Sequence, residues 1–415
     1  MTEHPNLLQV DGARLWRTIE ASAQIGEGPR GGLRRLALGD DDGAMRELFV
    51  RWCEGAGLRV TIDRVGNIFA RRTGRDEALA PVLIGSHLDS QAAGGRYDGI
   101  LGVLAGLEVV RTLNARGIET TRPIEIVNWS NEEGARFTPP MVASGAFAGV
   151  FDVDWVLSLS DDDGRTFGEE LTRIGFAGTA PVGGREIDAY YELHIEQGPL
   201  LEAEGIPLGI VTGGYQSYGM HIDLRGETAH SGPTPMDKRR NALVGAAHLI
   251  VAANDIGWRY HESEGKSTAP RLVCWPNKPG ILPEYAQVTI DFRHADPAMA
   301  AAMLAEFEAA IPATAERASV EIEIVERWTF GGETFDPDVM ATVREAAREL
   351  DVATRDILSQ AGHDAYYMSR VAPTALLFSP CKDGITHNEA EHIELAYTLP
   401  SVNVLLNAVL RRANR

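Results

Sequence analysis

The stretch 85–90, Gly-Ser-His-Leu-Asp-Ser, constrains the fold most, because it places polar side chains directly after an apolar run. That run, Pro-Val-Leu-Ile at 81–84, predicts a buried strand that ends at the Gly-Ser turn. His87 and Asp89 then lie at the strand end, and Asp98 follows nine residues later, just before a helical pattern. Imidazole nitrogens and carboxylate oxygens are metal ligands, and we expect the Asp89 carboxylate to accept the other ring N–H of His87. The stretch therefore predicts part of a metal site.

Two further predicted strands end in the same kind of residue. The apolar run 124–129 is followed by Glu132 and Glu133, and the run 190–195 contains His194. Strands alternate here with helical patterns, which indicates an α/β fold with a mostly parallel sheet and helices on both of its faces. In such sheets, ligands bind at the carboxyl ends of the strands. We therefore expect the three strand ends to converge on one crevice.

The pattern changes after the Gly-Gly pair at 213–214. Between 215 and 329 the predicted order is strand, loop, helix, strand, strand, helix and strand, which is the order of a ferredoxin-like α+β module. A chain of 415 residues is long enough for two domains. We therefore predict a first domain formed by 1–214 and 330–415, with 215–329 as an inserted second domain.

The composition disfavours several classes of partner. The chain is 44% hydrophobic and 24% charged, as in ordinary soluble proteins, and its net charge of −20 argues against nucleic acid and anionic membranes as partners. The three scattered cysteines predict no disulfide framework and fit a reducing cytoplasm. The first residues resemble no signal peptide, and no window approaches a membrane span. We therefore expect a cytoplasmic protein that acts on a small molecule.

The polar residues at the strand ends predict a dinuclear metal centre. Two divalent ions need a bridging carboxylate and separate ligands on each side, and Asp98 suits the bridge. The proposed terminal ligands are His87, Glu133, His194 and His387. Adjacent residues at a strand end point in different directions, so Glu132 remains as the general base that moves a proton from the attacking water to a leaving nitrogen. Mixed histidine and carboxylate ligands favour zinc, with manganese, cobalt or nickel as alternatives.

Each of these residues also has an ordinary structural explanation. A single His-x-Asp pair is a weak signal, an aspartate before a helix is usually a cap, and a glutamate pair usually lies on a solvated helix face. The pair at 132–133 differs because it follows a buried strand. The coincidence of three such strand ends favours the metal site.

Seven motifs resemble those of a family of metal-dependent amidases. This family includes N-carbamoyl-L-amino-acid hydrolase, β-ureidopropionase, allantoate amidohydrolase and ureidoglycolate amidohydrolase, within the clan of di-zinc aminopeptidases and acylases. The motifs, in chain order, are GSHLDS, GGRYDG, NEEGARF, HIEQGPLLE, AHSGPTPMD, GHDA and THNEAE. The resemblance spans about residues 80–395. It implies a zinc-aminopeptidase-like catalytic domain and, for the insertion, a lid and dimerisation domain.

The resemblance also implies roles for individual residues. It implies the five metal ligands named above, with Asp98 as the bridge, Glu132 as the acid and base, and Asp89 as the residue that orients His87. It further implies a homodimer in which His230 of the insertion enters the active site of the partner subunit and stabilises the oxyanion. Without the resemblance, His230 would be an ordinary loop histidine.

The substrate contacts depend on the resemblance alone. Gln197 is similar to a substrate amide contact, Arg293 to a clamp for the substrate carboxylate, and Gly362 to a residue that lies near the pocket. The family usually has an asparagine thirteen residues before the clamp arginine, where this chain has Gly280. Asn277 lies three residues earlier and is the nearest amide. This difference leaves the choice of substrate open.

The activity implied by the resemblance is hydrolysis of a linear carbon–nitrogen bond in a small carboxylate substrate. An N-carbamoyl-L-amino acid is the first expectation. Allantoate, ureidoglycolate and N-acyl amino acids are the alternatives, because all these enzymes share the metal ligands. A binding protein that kept the fold without catalysis is disfavoured by the intact ligand positions and by Glu132.

Overall fold

The structure, a computed structural model, describes residues 7–415, and the chain divides into two units. The first comprises the residues up to Thr212 together with Thr334–Arg415, and the second comprises Gly213–Glu333. The predicted insertion, 215–329, differs from the second unit by two residues at its start and four at its end.

The helices and strands are numbered along the chain. Up to the insertion they are α1 (Gly12–Ser22), α2 (Asp40–Gly55), β1 (Arg59–Ile62), β2 (Ile68–Arg72), β3 (Val82–His87), α3 (Ile100–Ala115), β4 (Ile124–Trp129), α4 (Val142–Phe147), α5 (Val153–Ser158), α6 (Phe167–Arg173), β5 (Ala189–Ile195), α7 (Leu200–Glu204) and β6 (Leu208–Gly214). The second unit holds β7 (Gln216–Arg225), α8 (Ala242–Arg259), β8 (Lys266–Trp275), β9 (Tyr285–His294), α9 (Pro297–Ala318) and β10 (Glu321–Phe330). The chain then adds α10 (Pro337–Glu349), β11 (Thr354–Ser359), α11 (Asp364–Met368), β12 (Thr374–Ser379) and α12 (Leu395–Ala413).

The first unit is built on an eight-stranded sheet in the order β1-β2-β4-β3-β5-β12-β6-β11. The four central strands, β4, β3, β5 and β12, pair in parallel, whereas β1–β2, β2–β4 and β12–β6 pair antiparallel. Every residue of the four central strands is buried, as expected of parallel strands covered on both faces. The predicted α/β class with a mostly parallel sheet is confirmed.

The parallel register brings the carboxyl ends of the central strands to one edge of the sheet. His87, the last residue of β3, pairs with Trp129, the last residue of β4. On β5, His194 pairs with Phe378 of β12. The polar residues that follow β4 and β12 therefore begin near the two histidines.

The second unit is a four-stranded antiparallel sheet in the order β10-β7-β9-β8, with the chain order β-α-β-β-α-β. This is the predicted ferredoxin-like arrangement. Helices α8 and α9 contribute to its apolar core, and the Asn241 side chain caps α8 by accepting from the N–H groups of Leu243 and Val244. Core residues include Ile222, Leu249, Val288, Phe292, Met303 and Phe307.

Helix α9 spans 22 residues. Among the described residues it is the one helix long and apolar enough to cross a membrane by length and composition, which differs from the expectation that no window approaches a membrane span. Ala300, Met303 and Phe307 are buried at helical spacing and belong to the core of the second unit. The apolar composition of α9 therefore has an explanation in the packing of this unit.

Candidate metal centre

The five predicted metal ligands lie together in the first unit, at the carboxyl ends of its central strands. Their ligand atoms form two groups, and the atoms of each group lie within 4.8 Å of one another. The groups are His87, Asp98 and His194, and Asp98, Glu133 and His387. Both groups contain Asp98, so the structure brings together the predicted bridge and the predicted terminal ligands.

The two oxygens of Asp98 face different groups. Oδ1 lies 3.0 Å from Nε2 of His194 and 3.8 Å from Nε2 of His87. Oδ2 lies 3.3 Å from Nε2 of His387, and that nitrogen lies 3.2 Å from Oε2 of Glu133. A carboxylate that bridges two ions needs this arrangement, with one oxygen on each side.

Backbone carbonyls orient two of the histidines. Nδ1 of His87 lies 2.9 Å from the carbonyl oxygen of Asp89, and Nδ1 of His194 lies 2.9 Å from that of Ile195. With Nδ1 bonded in this way, Nε2 of each ring faces the candidate metal site, where Nε2 of His194 accepts from the Gly99 N–H at 3.1 Å. The His87 ring also packs against Gly99, where a Cβ atom would lie 2.2 Å from Nε2, so a larger residue there would displace the ring.

The prediction that the Asp89 carboxylate accepts the ring N–H of His87 is wrong, because a different atom of Asp89 makes this contact. Oδ1 of Asp89 lies 3.8 Å from Nδ1, and the carbonyl oxygen takes the ring N–H instead. The buried carboxylate accepts from the backbone N–H groups of Glu132 and Glu133, each at 3.3 Å. Asp89 therefore orients His87 through its backbone and holds the two glutamates through its side chain.

The raised pKa values of the two histidines His194 and His387 reflect the negative charge concentrated at this site. Burial lowers the pKa of His194, but the hydrogen bond and charge of Asp98 outweigh it and raise the pKa to about 9. Loss of solvent also lowers the pKa of His387, yet the Glu133 and Asp98 carboxylates raise it to about 11. Burial opposes ionisation of Asp98, but the two histidines hold its pKa well below the usual range. Groups that hold protons this tightly favour a cation, and a metal would displace those protons.

Glu132 lies beside the two groups and belongs to neither. Its Oε2 lies 3.5 Å from Nε2 of His87, and its side chain is buried. Burial raises the pKa of Glu132 well above its usual value, and the charges of Asp364 and Glu133 add to this. A carboxyl group with a raised pKa holds a proton more readily than an ordinary glutamate, which suits a general acid and base.

Gln197 and Gly362 lie on the same side of the sheet as the ligands. Gln197 follows β5 in a left-handed conformation, with φ +59°, and its Nε2 donates to Oδ2 of Asp98 at 2.9 Å. Its buried Oε1 has no hydrogen-bond partner within residues 7–415. Gly362 immediately precedes His363, whose ring centre lies 4.5 Å from that of His194.

The remaining predicted site residues lie in the second unit. His230 is exposed, and its segment pairs with the one that follows β8, where the Ser231 N–H donates to the Gly280 carbonyl at 3.0 Å. Asn277 is exposed in that same segment. Arg293 lies on β9, and its guanidinium group lies 5.5 Å from the centre of the Phe330 ring.

The model of peptidase family M20/M25/M40 matches residues 83–411, which include all five candidate ligands. The chain belongs to peptidase family M20/M25/M40. The family predicted from the seven motifs is confirmed.

Relatives that are similar over most of their length support this placement. An N-carbamoyl-L-amino-acid amidohydrolase of Rhizobium meliloti is 43% identical, over 98% of this chain and 97% of its own. Allantoate deiminase 1 of Glycine max is 30% identical, over 84% of this chain and 78% of its own. The crystal structure of an amidase of the hydantoinase/carbamoylase family from Burkholderia vietnamiensis is 48% identical, with a TM-score of 0.95 over 98% of both chains.

Three residues that contact the centre of this M20/M25/M40 member escaped the sequence analysis. The Thr386 hydroxyl donates to Oδ2 of Asp98 at 2.9 Å, and the Glu391 carboxylate accepts the backbone N–H of Asp98 at 3.1 Å. Buried Asp364, which accepts from the Ser144 hydroxyl, contributes to the raised pKa of Glu132. Each lies inside a motif already noted, GHDA or THNEAE, so the signal was their position beside His363 or His387.

Proposed function

We propose that this chain is a metal-dependent amidohydrolase that cleaves a linear carbon–nitrogen bond in a small carboxylate substrate, with N-carbamoyl-L-amino acids as the substrate class. One observation carries the proposal: two ligand groups share Asp98, and Glu132 lies beside them without belonging to either. That arrangement supplies a hydrolase with both a metal centre and a separate proton carrier. The Rhizobium meliloti relative, similar over nearly its whole length, bears the name of this activity.

The donor set fits two divalent metal ions. His87 and His194 with Asp98 would hold one ion, and Glu133 and His387 with Asp98 would hold the other. Such ions, when bound, lower the pKa of water and polarise a carbonyl group. Imidazole and carboxylate ligands suit zinc best, with manganese, cobalt and nickel as alternatives. The raised pKa values of His194 and His387 support cation binding at both groups.

The protein side chains would move the proton and position the substrate. Glu132 would accept a proton from the attacking water and return it to the leaving nitrogen. Gln197 would accept from a substrate N–H, because its Oε1 is buried and its Nε2 is engaged by Asp98. Arg293 would bind the substrate carboxylate, because a planar guanidinium group can donate two parallel hydrogen bonds to a carboxylate. For a ureido substrate the products are an amine, carbon dioxide and ammonia.

His230 would stabilise the oxyanion in the active site of a partner subunit. The Gly232 N–H donates to Nδ1 of His230 at 3.1 Å, so the neutral ring carries its proton on Nε2 and can donate from there. Its exposure leaves it accessible to a second copy. In such a homodimer, His230 would place a hydrogen-bond donor where negative charge develops, as the donors of an oxyanion hole do in other hydrolases.

The exposed face of α8 and the edge strand β8 support dimerisation. Val244, Val251 and Trp258 are exposed and recur every seven residues on α8. On β8, Leu272 and Trp275 are exposed, and this strand pairs only with β9 among the described strands. Large apolar side chains in such an arrangement favour association with another protein surface. A cytoplasmic location remains part of the proposal and rests on the scattered cysteines.

A second candidate is hydrolysis of allantoate or ureidoglycolate. Gly280 replaces the asparagine usual in the resembling family, has φ +90°, and leaves open space where a Cβ atom would lie. The amide donor expected beside the carboxylate clamp is therefore missing at this position. The similarity to allantoate deiminase 1 of Glycine max supports this alternative.

Ammonia release from a substrate panel tests the proposal. The protein, loaded with zinc, manganese, cobalt or nickel, would be assayed for ammonia release with N-carbamoyl-L- and N-carbamoyl-D-amino acids, N-carbamoyl-β-alanine, allantoate and ureidoglycolate. N-acyl amino acids, whose hydrolysis releases no ammonia, would be assayed by release of the free amino acid. We expect the highest kcat/KM with an N-carbamoyl-L-amino acid and little turnover of its D enantiomer. Preference for allantoate would select the second candidate. Failure to release ammonia from any ureido substrate would overturn both.

A further inference from the structure

Glu391 lies in the loop that follows His387, and its side chain points inward. Only 5% of the residue is exposed. Its Oε1 accepts two backbone N–H groups, from Tyr97 at 2.9 Å and from Asp98 at 3.1 Å. One oxygen of Glu391 therefore fixes the backbone of the residue that both ligand groups share.

The second oxygen of Glu391 reaches the side chain of the same residue through Thr386. Oε2 of Glu391 lies 3.1 Å from the Thr386 hydroxyl, and this hydroxyl lies 2.9 Å from Oδ2 of Asp98. Oδ2 is the oxygen that faces His387, the residue next to Thr386. The loop after β12 thus contacts Asp98 at both its backbone and its carboxylate.

The space around Glu391 shows that its position is built into the fold. A Cβ atom on Gly95 would lie 1.9 Å from the carboxyl carbon of Glu391, so only glycine at 95 lets the carboxylate approach. Two backbone N–H groups donate to Oε1, and Oε2 lies 3.1 Å from the Thr386 hydroxyl, whose single proton is directed to Asp98. These contacts set the orientation of the Glu391 side chain, and through it the position of the loop that carries Thr386 relative to the loop that carries Tyr97 and Asp98.

We infer that Glu391 is a positioning residue of the metal centre, which holds Asp98 with Oδ2 directed towards His387 and so forms the Asp98–Glu133–His387 group. The inference rests on the proposed two-metal function. Replacement of a residue that orients a metal ligand in this way typically lowers the metal affinity about 10-fold to 100-fold. Glu391 acts on the side of Oδ2. Its loss should therefore weaken binding of the second ion, held by Asp98, Glu133 and His387, more than binding of the first ion, held by His87, Asp98 and His194.

Cobalt titration of metal-free variants tests this inference. Each full-length protein would be titrated with Co²⁺ against a chromophoric chelator, and its thermal unfolding would be measured separately without metal. In Glu391→Ala, we expect one ion to bind close to the wild-type affinity and the other about 10-fold to 100-fold more weakly. Glu391→Gln should restore most of the affinity, because the amide oxygen can still accept both backbone N–H groups.

Glu389→Ala is the matched control. Glu389 lies in the same loop and is buried, but its carboxylate accepts the Arg30 N–H and lies near the guanidinium groups of Arg30 and Arg34. Its removal should leave the affinity of both ions unchanged. Thr386→Val gives a milder test if Glu391→Ala does not fold, and it should also weaken the second ion selectively.

The outcomes separate this inference from the proposed function. If the wild-type protein binds fewer than two ions or hydrolyses no substrate of the panel, the two-metal function is wrong. If the wild-type protein binds two ions and Glu391→Ala and Thr386→Val bind both as tightly, Glu391 only stabilises the loop and the inference is wrong. An equal loss of affinity for both ions, in a variant whose thermal unfolding is unchanged, would also contradict the inference.

Discussion

The candidate residues of the two units differ in how far they are buried and hydrogen-bonded within their own unit. In the first unit, His87, His194 and Asp98 are buried and bonded to backbone or to one another. In the second unit, His230 is exposed, and Arg293 has 29% of its side chain exposed. A group whose partners lie in its own unit is fixed by folding, whereas a group that acts on a substrate or a second copy must remain accessible. Three of the candidate ligands, His87, His194 and Asp98, are of the first kind, whereas His387, with 47% of its side chain exposed, resembles the proposed substrate contacts.

The largest effect should come from the first unit. Glu132→Gln removes the proton carrier and leaves the ligands in place, so kcat should fall about 10²-fold to 10⁴-fold while two metal ions remain bound. Ammonia release and metal content would be measured on the same preparation. Glu196→Gln is the control, because Glu196 is also buried after β5 but accepts the N–H groups of Leu200 and Leu201. Wild-type turnover in Glu132→Gln would refute the assignment.

Replacement of His230 tests whether the second unit acts on another copy. His230→Ala should lower kcat about 10²-fold to 10³-fold, as loss of an oxyanion donor does. His230→Ala and Glu132→Gln subunits would then be mixed after dissociation. About a quarter of wild-type activity should return, because half of the dimers are mixed and each regains one of its two sites. If the mixture stays inactive although mixed dimers form, His230 does not act across subunits.

Arg293→Lys should have a smaller effect, confined to substrate binding. A lysine keeps the charge but loses the planar pair of donors, so KM should rise about 10-fold to 100-fold with little change in kcat. Arg225→Lys is the matched control, since Arg225 lies on neighbouring β7 and bonds Asp223. Steady-state kinetics with the preferred substrate would measure both. An equal rise in KM in the two variants would mean that the clamp lies elsewhere.

The pH dependence of metal binding tests the candidate ligands of the first unit without any substitution. Without metal, the pKa values of about 9 for His194 and about 11 for His387 keep both rings protonated at neutral pH. Metal must displace these protons, so the affinity falls as pH decreases, by about tenfold per pH unit for each proton released. Cobalt affinity at pH 6, 7 and 8 would test the sign. An affinity independent of pH in this window would show that the ligand histidines are already neutral.

Features set by local sequence pattern could be predicted, and features set by distant contacts could not. The bounds of β4 follow from a short apolar run and match the predicted run 124–129 residue for residue. Strand β6 contains three glycines, and β11 is a mostly solvent-exposed edge strand, so neither shows a strand pattern. The atom of Asp89 that contacts His87 depends on the path of the backbone after β3, which residue type does not reveal.

The contact of Glu391 shows the same limit over a longer distance. Glu391 and Tyr97 are 294 positions apart, and only the completed fold brings them together. The motif THNEAE indicates His387 as a candidate ligand, but nothing in it indicates a contact between Glu391 and Tyr97 or Asp98. A single sequence indicates which residues have the right chemistry, but not which of them share a hydrogen-bond network.

The discontinuity of the first unit has a consequence for synthesis of the protein. Four of the five ligands precede the insertion, whereas His387 and strand β12 follow it. A nascent chain that has emerged only as far as the insertion lacks β12, one of the two strands that pair with β5, and lacks His387 of the second ligand group. Because domains fold as units during synthesis, the Asp98–Glu133–His387 group can form only after the segment that carries β12 and His387 has left the ribosome.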